Sequence, residues 1–165
     1  MPVLARLACA LTLALVPSVV AVGQVPATDL VIQDAWVRET VAGQPNTAAY
    51  LVIENRGAAA TALTAAAVSD VKAVELHTMR MTTGANGAGE MMRMEKVTEI
   101  PVPGKGSTRL EPGGFHVMLF GVARSLTAGS TVVLTLQFRG GVTKTVTATV
   151  RPATPGGRMG RMSQP

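Results

Sequence analysis

The sequence predicts an all-β fold, an antiparallel sandwich or barrel. Apolar and polar residues alternate over short runs, the period of a half-buried strand. Gly, Pro and Asn clusters punctuate these runs at the spacing of an antiparallel architecture. No stretch carries an amphipathic helical pattern of convincing length. The apolar content, 47% of 165 residues, is mostly Ala, Val and Leu, and only 3% of the chain is aromatic.

Residues 30–37, from Leu30-Val31-Ile32 through Ala35-Trp36-Val37, make the first expected strand. Gly43-Gln44-Pro45-Asn46 is a turn signal. Residues 48–54 alternate around Tyr50 and Val52 and end at Asn55-Arg56-Gly57. Residues 59–68 are rich in Ala and Thr; their length permits a helix, but the threonines and the neighbouring strands favour strand. Residues 71–79 alternate Val74 and Leu76 with Glu75 and His77. The glycine-rich residues 82–89 read as a loop, and 91–97 resume as strand. Pro101-Val102-Pro103-Gly104 reads as a turn, 107–110 as a short strand, and Glu111-Pro112-Gly113-Gly114 as a tight turn. Residues 115–122, 131–138 and 142–150 complete the set, with Gly140-Gly141 joining the last two as a hairpin.

The chain divides into three parts on this reading. Residues 1–24 resemble a secretory signal peptide: Arg6 supplies the positive end, residues 7–22 the apolar run, and Ala21 and Gly23 the small residues for cleavage. The alternative is a retained N-terminal anchor, which would be the chain's route to membrane contact. Cys9 stands at the front of the apolar run rather than after it, a poor fit to a lipid-attachment cysteine. Residues 28–151 form the β-domain. Residues 152–165 carry no apolar period and are expected to be disordered.

Composition excludes several function classes. The formal charge is +5, but it is spread as single residues. With few aromatics for base stacking, nucleic acid is not an expected partner. Cys9 is the sole cysteine. Its removal with the leader would leave no disulfide, no thiolate nucleophile, and no blue-copper or iron–sulfur centre. An enzyme is the least favoured class, because neither histidine has an evident Ser or Asp companion and a zinc hydrolase wants three N/O ligands with an open position.

What remains is a soft-metal pattern. The chain has two histidines, and each stands two residues before a methionine: His77-Thr78-Met79 and His116-Val117-Met118. Residues two apart on a strand share a face, so each pair can present imidazole and thioether to one point. That donor set suits Cu(I). On the strand from 115, His116, Met118 and Phe120 share one face, while Val117 and Leu119 take the other, the expected core face. Met91-Met92-Arg93-Met94 lies between the two pairs. Met79, Met81, Met91 and Met92 read as packing or accessory sulfurs, and Met159 and Met162 of the tail as loose copper-capturing residues at most.

These residues resemble a known family, the periplasmic copper chaperones of the PCu(A)C type. That family's motif is His, ten residues, Met, twenty-one residues, His, one residue, Met. Met94, His116 and Met118 match its second half, residues 95–115 filling the gap of twenty-one. His77 matches its start, with sixteen residues rather than ten before Met94. The extra length falls in the glycine-rich loop. Ala35-Trp36-Val37-Arg38, Ala48-Ala49-Tyr50, Val74-Glu75-Leu76 and Pro112-Gly113-Gly114-Phe115 add to the likeness, which spans about residues 30–151.

The resemblance implies a cupredoxin-like antiparallel β-sandwich or Greek-key barrel. It implies a Cu(I) site of His77, Met94, His116 and Met118, with Met91 or Met92 as alternatives for the third ligand. It further implies an extracytoplasmic metallochaperone. Its copper would pass to a transient protein acceptor, such as a respiratory oxidase copper-centre subunit or a thiol-bearing assembly factor. The competing functions are copper sequestration without delivery and a metal-free secreted interaction module.

Overall fold

The computed structural model describes residues 27–83 and 90–153. After a short 3-10 turn at Ala27–Asp29, ten strands follow: β1 Leu30–Arg38, β2 Thr47–Asn55, β3 Thr61–Val68, β4 Ala73–Thr83 and β5 Glu90–Lys96, then β6 Ile100–Val102, β7 Gly106–Leu110, β8 His116–Phe120, β9 Thr131–Phe138 and β10 Thr143–Arg151. The all-β expectation holds throughout. The strands form one hydrogen-bonded sheet in the order β5-β4-β8-β2-β1-β10-β9-β3-β6, and β7 also pairs β2. The sheet curls on itself: β3 comes against β4, and β6 lies beside β7.

Three details differ from the sequence reading. Pro101 and Val102, expected in a turn, belong to the edge strand β6, where a proline costs no ladder hydrogen bond. Thr82 and Thr83, expected in the loop, extend β4 because they pair with Met91 and Glu90. The first and last strands, β1 and β10, pair in parallel over Trp36–Arg38 and Thr149–Arg151, whereas the other named strand pairs are antiparallel. Asp34 sits at the register shift in β1 with φ 49°, a bulge that bends the strand's second half toward β10. The Gly140-Gly141 hairpin is as expected; Phe138 and Val142 close a three-residue loop of Arg139, Gly140 and Gly141, and both glycines have the positive φ that such a turn with a left-handed last residue uses.

The core lies on the inner face of the curled sheet. Val37, Ala49, Ile53, Leu63, Ile100, Val117, Leu119, Leu134 and Leu136 are fully buried there. Period two then fixes the other face. In β8, Val117 and Leu119 point into the core, so His116, Met118 and Phe120 lie on the outer face. In β4, Leu76 pairs with Val117 on the core side, which puts Glu75, His77, Met79 and Met81 outside. The core packing therefore decides where the imidazoles and thioethers stand.

Candidate metal centre

Strand register brings the two His-x-Met units together. His77 of β4 lies directly opposite His116 of β8, and their ring centroids are 5.8 Å apart. Met118 stands opposite Glu75 on one side and Ala48 on the other. The β4–β5 hairpin delivers Met94, which pairs with Met79. Paired residues share a face, so His77, Met79, Met94, His116 and Met118 lie on one outer surface. Residues 84–89 of the glycine-rich segment lie outside the described residues, as do residues 1–26, Met159 and Met162.

The register also separates the three methionines of the 91–94 cluster. Met91 pairs with Thr82 and lies on the opposite face. Met92 shares the histidine face but pairs with Met81, one rung farther out. Met94 Sδ is 3.2 Å from His116 Nε2.

Both histidines have one ring nitrogen engaged and one left bare. His116 Nδ1 is 3.0 Å from the Gly114 carbonyl. A carbonyl only accepts, so Nδ1 carries the proton and Nε2 presents its lone pair to the Met94 sulfur. Two lone pairs at 3.2 Å gain nothing from each other. A first-row metal between them would sit about 2.0 Å from nitrogen and 2.3 Å from sulfur, which at a tetrahedral angle separates the two donors by about 3.5 Å.

His77 has the mirror-image arrangement. Its Nε2 lies 2.9 Å from Glu75 Oε2, which Lys96 Nζ also holds through Oε1 at 2.7 Å. The carboxylate accepts, so Nε2 donates and Nδ1 is left bare. Among the described residues, His77 Nδ1 is the single buried side-chain nitrogen or oxygen without a hydrogen-bond partner. An imidazole anchored to a carboxylate or backbone carbonyl, with its free nitrogen exposed to a cation, is the usual build of a metal-ligating histidine.

Burial and charge suit a soft, weakly charged ion. His116 is 5% exposed and Met94 47%, so the donor set runs from an interior imidazole to an accessible thioether. Burial holds the His116 imidazole below the ordinary histidine range, with the Gly114 hydrogen bond opposing and neighbouring His77 adding to the effect. Lys96 and then His77 hold the Glu75 carboxyl below the usual carboxylate range. Trp36 stacks on Tyr50 at 4.4 Å, and Tyr50 stands 6.4 Å from His116, forming an aromatic wall on one flank. Among the described residues, no three His, Cys, Asp or Glu side chains gather into a hard-metal cluster. Beside His116, the depression offers the thioether sulfurs of Met79, Met94 and Met118 as soft donors.

The depression in front of the site is lined by His116, Met118, Met94 and Met79 together with Tyr50 and Pro112; His77 does not line it. The sequence reading gave Met79 only a packing or accessory role, and gave Glu75 and Gly114 none. Glu75 could have been found from its place two residues before His77, on the same face. Gly114 acts through its carbonyl, which no residue type announces.

The family model described as "Putative lipoprotein LpqE-like" matches residues 30–150. The "Putative lipoprotein Lxx21020" of Leifsonia xyli subsp. xyli (strain CTCB07) is 35% identical over 121 residues, covering 73% of this chain and 68% of the relative. The Cu(I) form of DR1885 from Deinococcus radiodurans is similar in structure, with a TM-score of 0.59 at 33% identity over 77% of this chain and 80% of that one. The copper-bound PCuAC domain of PmoF2 has a TM-score of 0.61 at 21% identity, covering 75% of this chain and 93% of that domain, a likeness of fold.

Proposed function

The chain belongs to the LpqE-like family, and on that premise we propose that it is an extracytoplasmic copper chaperone. Its cargo is Cu(I), held by His77 Nδ1, His116 Nε2 and the sulfurs of Met94 and Met118. The observation that carries the reading is the facing pair of bare donors, His116 Nε2 and Met94 Sδ at 3.2 Å, with the other imidazole nitrogen already donating to Gly114. The Cu(I)-bound state of DR1885 supports the same cargo.

Four neutral donors leave the complex with the single positive charge of the ion. Thioethers favour Cu(I) over Cu(II), cannot close into a disulfide, and carry no proton to lose at ligation. The exposed Met94 gives an acceptor a point of attack: an incoming thiolate displaces the thioether, and the ion leaves by ligand exchange without changing oxidation state. A respiratory oxidase copper centre or another extracytoplasmic acceptor is the proposed destination. The descriptions of the family and of the Leifsonia relative both speak of a lipoprotein. An anchored chaperone on the outer side of a membrane fits them, held through the apolar N-terminal run; Cys9, the sole cysteine, stands at the front of that run and fits a lipid-attachment site poorly.

The test is Cu(I) titration against a competing chelator, followed by mixing with an apo copper-centre domain. Met94→Ala is expected to lose affinity, and Met91→Ala and Met92→Ala to keep the tight site. A loss confined to Met91→Ala or Met92→Ala would overturn the ligand assignment. Tight binding with no transfer to any thiolate acceptor would instead make the protein a copper store.

A further inference from the structure

The β4–β5 hairpin carries more sulfur than the histidine site uses. Met79 pairs with Met94 and Met81 with Met92, so four thioethers stand as two adjacent rungs on the histidine face. Consecutive rungs on one face lie about 7 Å apart. Met81, Met92 and Met94 are 56%, 51% and 47% exposed. Four of the six exposed large hydrophobic residues among the described ones are methionines of this hairpin. Core filling does not account for them, because they fill no core. Strand propensity does not either, since the outward positions of β10 are threonines.

The inner rung ties this ladder to the site. Met79 and Met94 line the same depression as His116 and Met118, and Met94 reaches His116 Nε2. The outer rung, Met81 and Met92, does not line that depression and lies nearer the hairpin tip. Met79, Met81 and Met92 are three neighbouring thioethers on one face, and soft sulfur without nitrogen selects Cu(I).

We propose that Met79, Met81 and Met92 form a second, all-thioether Cu(I) site on the β4–β5 hairpin, which captures the ion and passes it through Met94 to the histidine pair. The passing-on rests on the function proposed above; the capture site does not. The ion stays Cu(I) throughout. One thioether replaces another at each step, and Met94 belongs to the rung nearest the imidazoles, so no donor has to leave the surface.

The experiment follows the assigned methionine methyl resonances of the full chain, labelled at the methyl carbon, as Cu(I) is added anaerobically. The Met94 and Met118 methyls are expected to move over the first equivalent and those of Met79, Met81 and Met92 over the second. Met91, on the opposite face, stays still. In the double variant Met81→Leu, Met92→Leu, which keeps volume and apolarity, the first equivalent binds as before and Met79 no longer responds to the second. Stationary Met81 and Met92 methyls in a titration that moves Met94 and Met118 overturn the second site and leave the first standing. Movement of Met79, Met81 and Met92 with Met94 and Met118 stationary upholds the capture site while sinking the histidine assignment and the relay. A Met91 shift as large as that of Met92 reduces the ladder to unspecific thioether binding and also overturns it.

Discussion

The β9–β10 hairpin and the β4–β5 hairpin are built on the same period-two backbone, but only the first keeps its burial to that period. In β9 and β10, Leu134, Leu136, Phe138, Ala148 and Val150 are buried, while Thr143, Thr145, Thr147 and Thr149 face solvent. In β4, Leu76, His77 and Thr78 are buried in succession. Leu76 is buried by the core. His77 is buried on the outer face, beside another imidazole and against a carboxylate. A clean alternation is explained by packing alone. A polar side chain buried where the packing has no need of it calls for a ligand or a partner, and His77 Nδ1 has no partner.

A crossed pair of substitutions tests that division most strongly. Leu136→Ala in the first region removes packing, and a cost of about 2–5 kcal/mol in urea unfolding is expected, with Cu(I) affinity of the folded protein unchanged. His116→Ala in the second removes a donor. Its affinity is expected to fall by more than the roughly 10–100-fold that loss of a supporting partner costs, while losing the Gly114 hydrogen bond costs about 1 kcal/mol of stability. Chelator competition and circular dichroism read both. A His116→Ala protein that unfolded, or one that kept its copper, would erase the distinction between the two regions.

Glu75 sharpens it. The carboxylate does not contact the depression, yet it accepts from His77 and from Lys96 at once. Glu75→Gln removes the charge that Lys96 holds and weakens the clamp on His77. About a tenfold drop in Cu(I) affinity is expected, at the lower end of the usual range for such partners. An unchanged affinity in the same chelator assay would mean that strand pairing alone orients His77.

Much of this was legible from residue order. Alternation and turn residues located the strands, and the period of two put Val117 and Leu119 on one face and His116 and Met118 on the other. The parallel pairing of β1 with β10 was not legible, because it joins the two ends of the domain and depends on a bulge at Asp34. Among Met91, Met92 and Met94, the spacing to His116 favours Met94 through the family resemblance, but the face each one takes needed the hairpin register: counting residues from His77 does not say where the strand turns. Once Thr83 is known to face Glu90, Met91 falls on the wrong face by parity. The tautomers needed coordinates too, since the Gly114 carbonyl that sets His116 belongs to the backbone.

The smallest effect concerns protons. Burial lowers the pKa of His116 from its ordinary value of 6.5, and the nearby His77 acts in the same direction against the Gly114 hydrogen bond. The folded protein therefore binds a proton there less readily than the unfolded chain. The stability gained by keeping this imidazole neutral is fully present above pH 6.5 and is lost as the pH falls from there through the lowered folded value. Glu75, lowered from 4.5, adds a second loss at more acidic pH, because its stabilisation is present above that value and disappears through its own lowered pKa. The urea midpoint should fall in that order on acidification. In the copper-free protein, the ring protons of His116 should titrate below pH 6.5 by nuclear magnetic resonance, and a midpoint at or above it would contradict the burial argument. For the cargo the consequence follows directly. A nitrogen that resists protonation stays bare in mild acid, so competition between proton and Cu(I) at Nε2 begins at lower pH than it would on an exposed histidine.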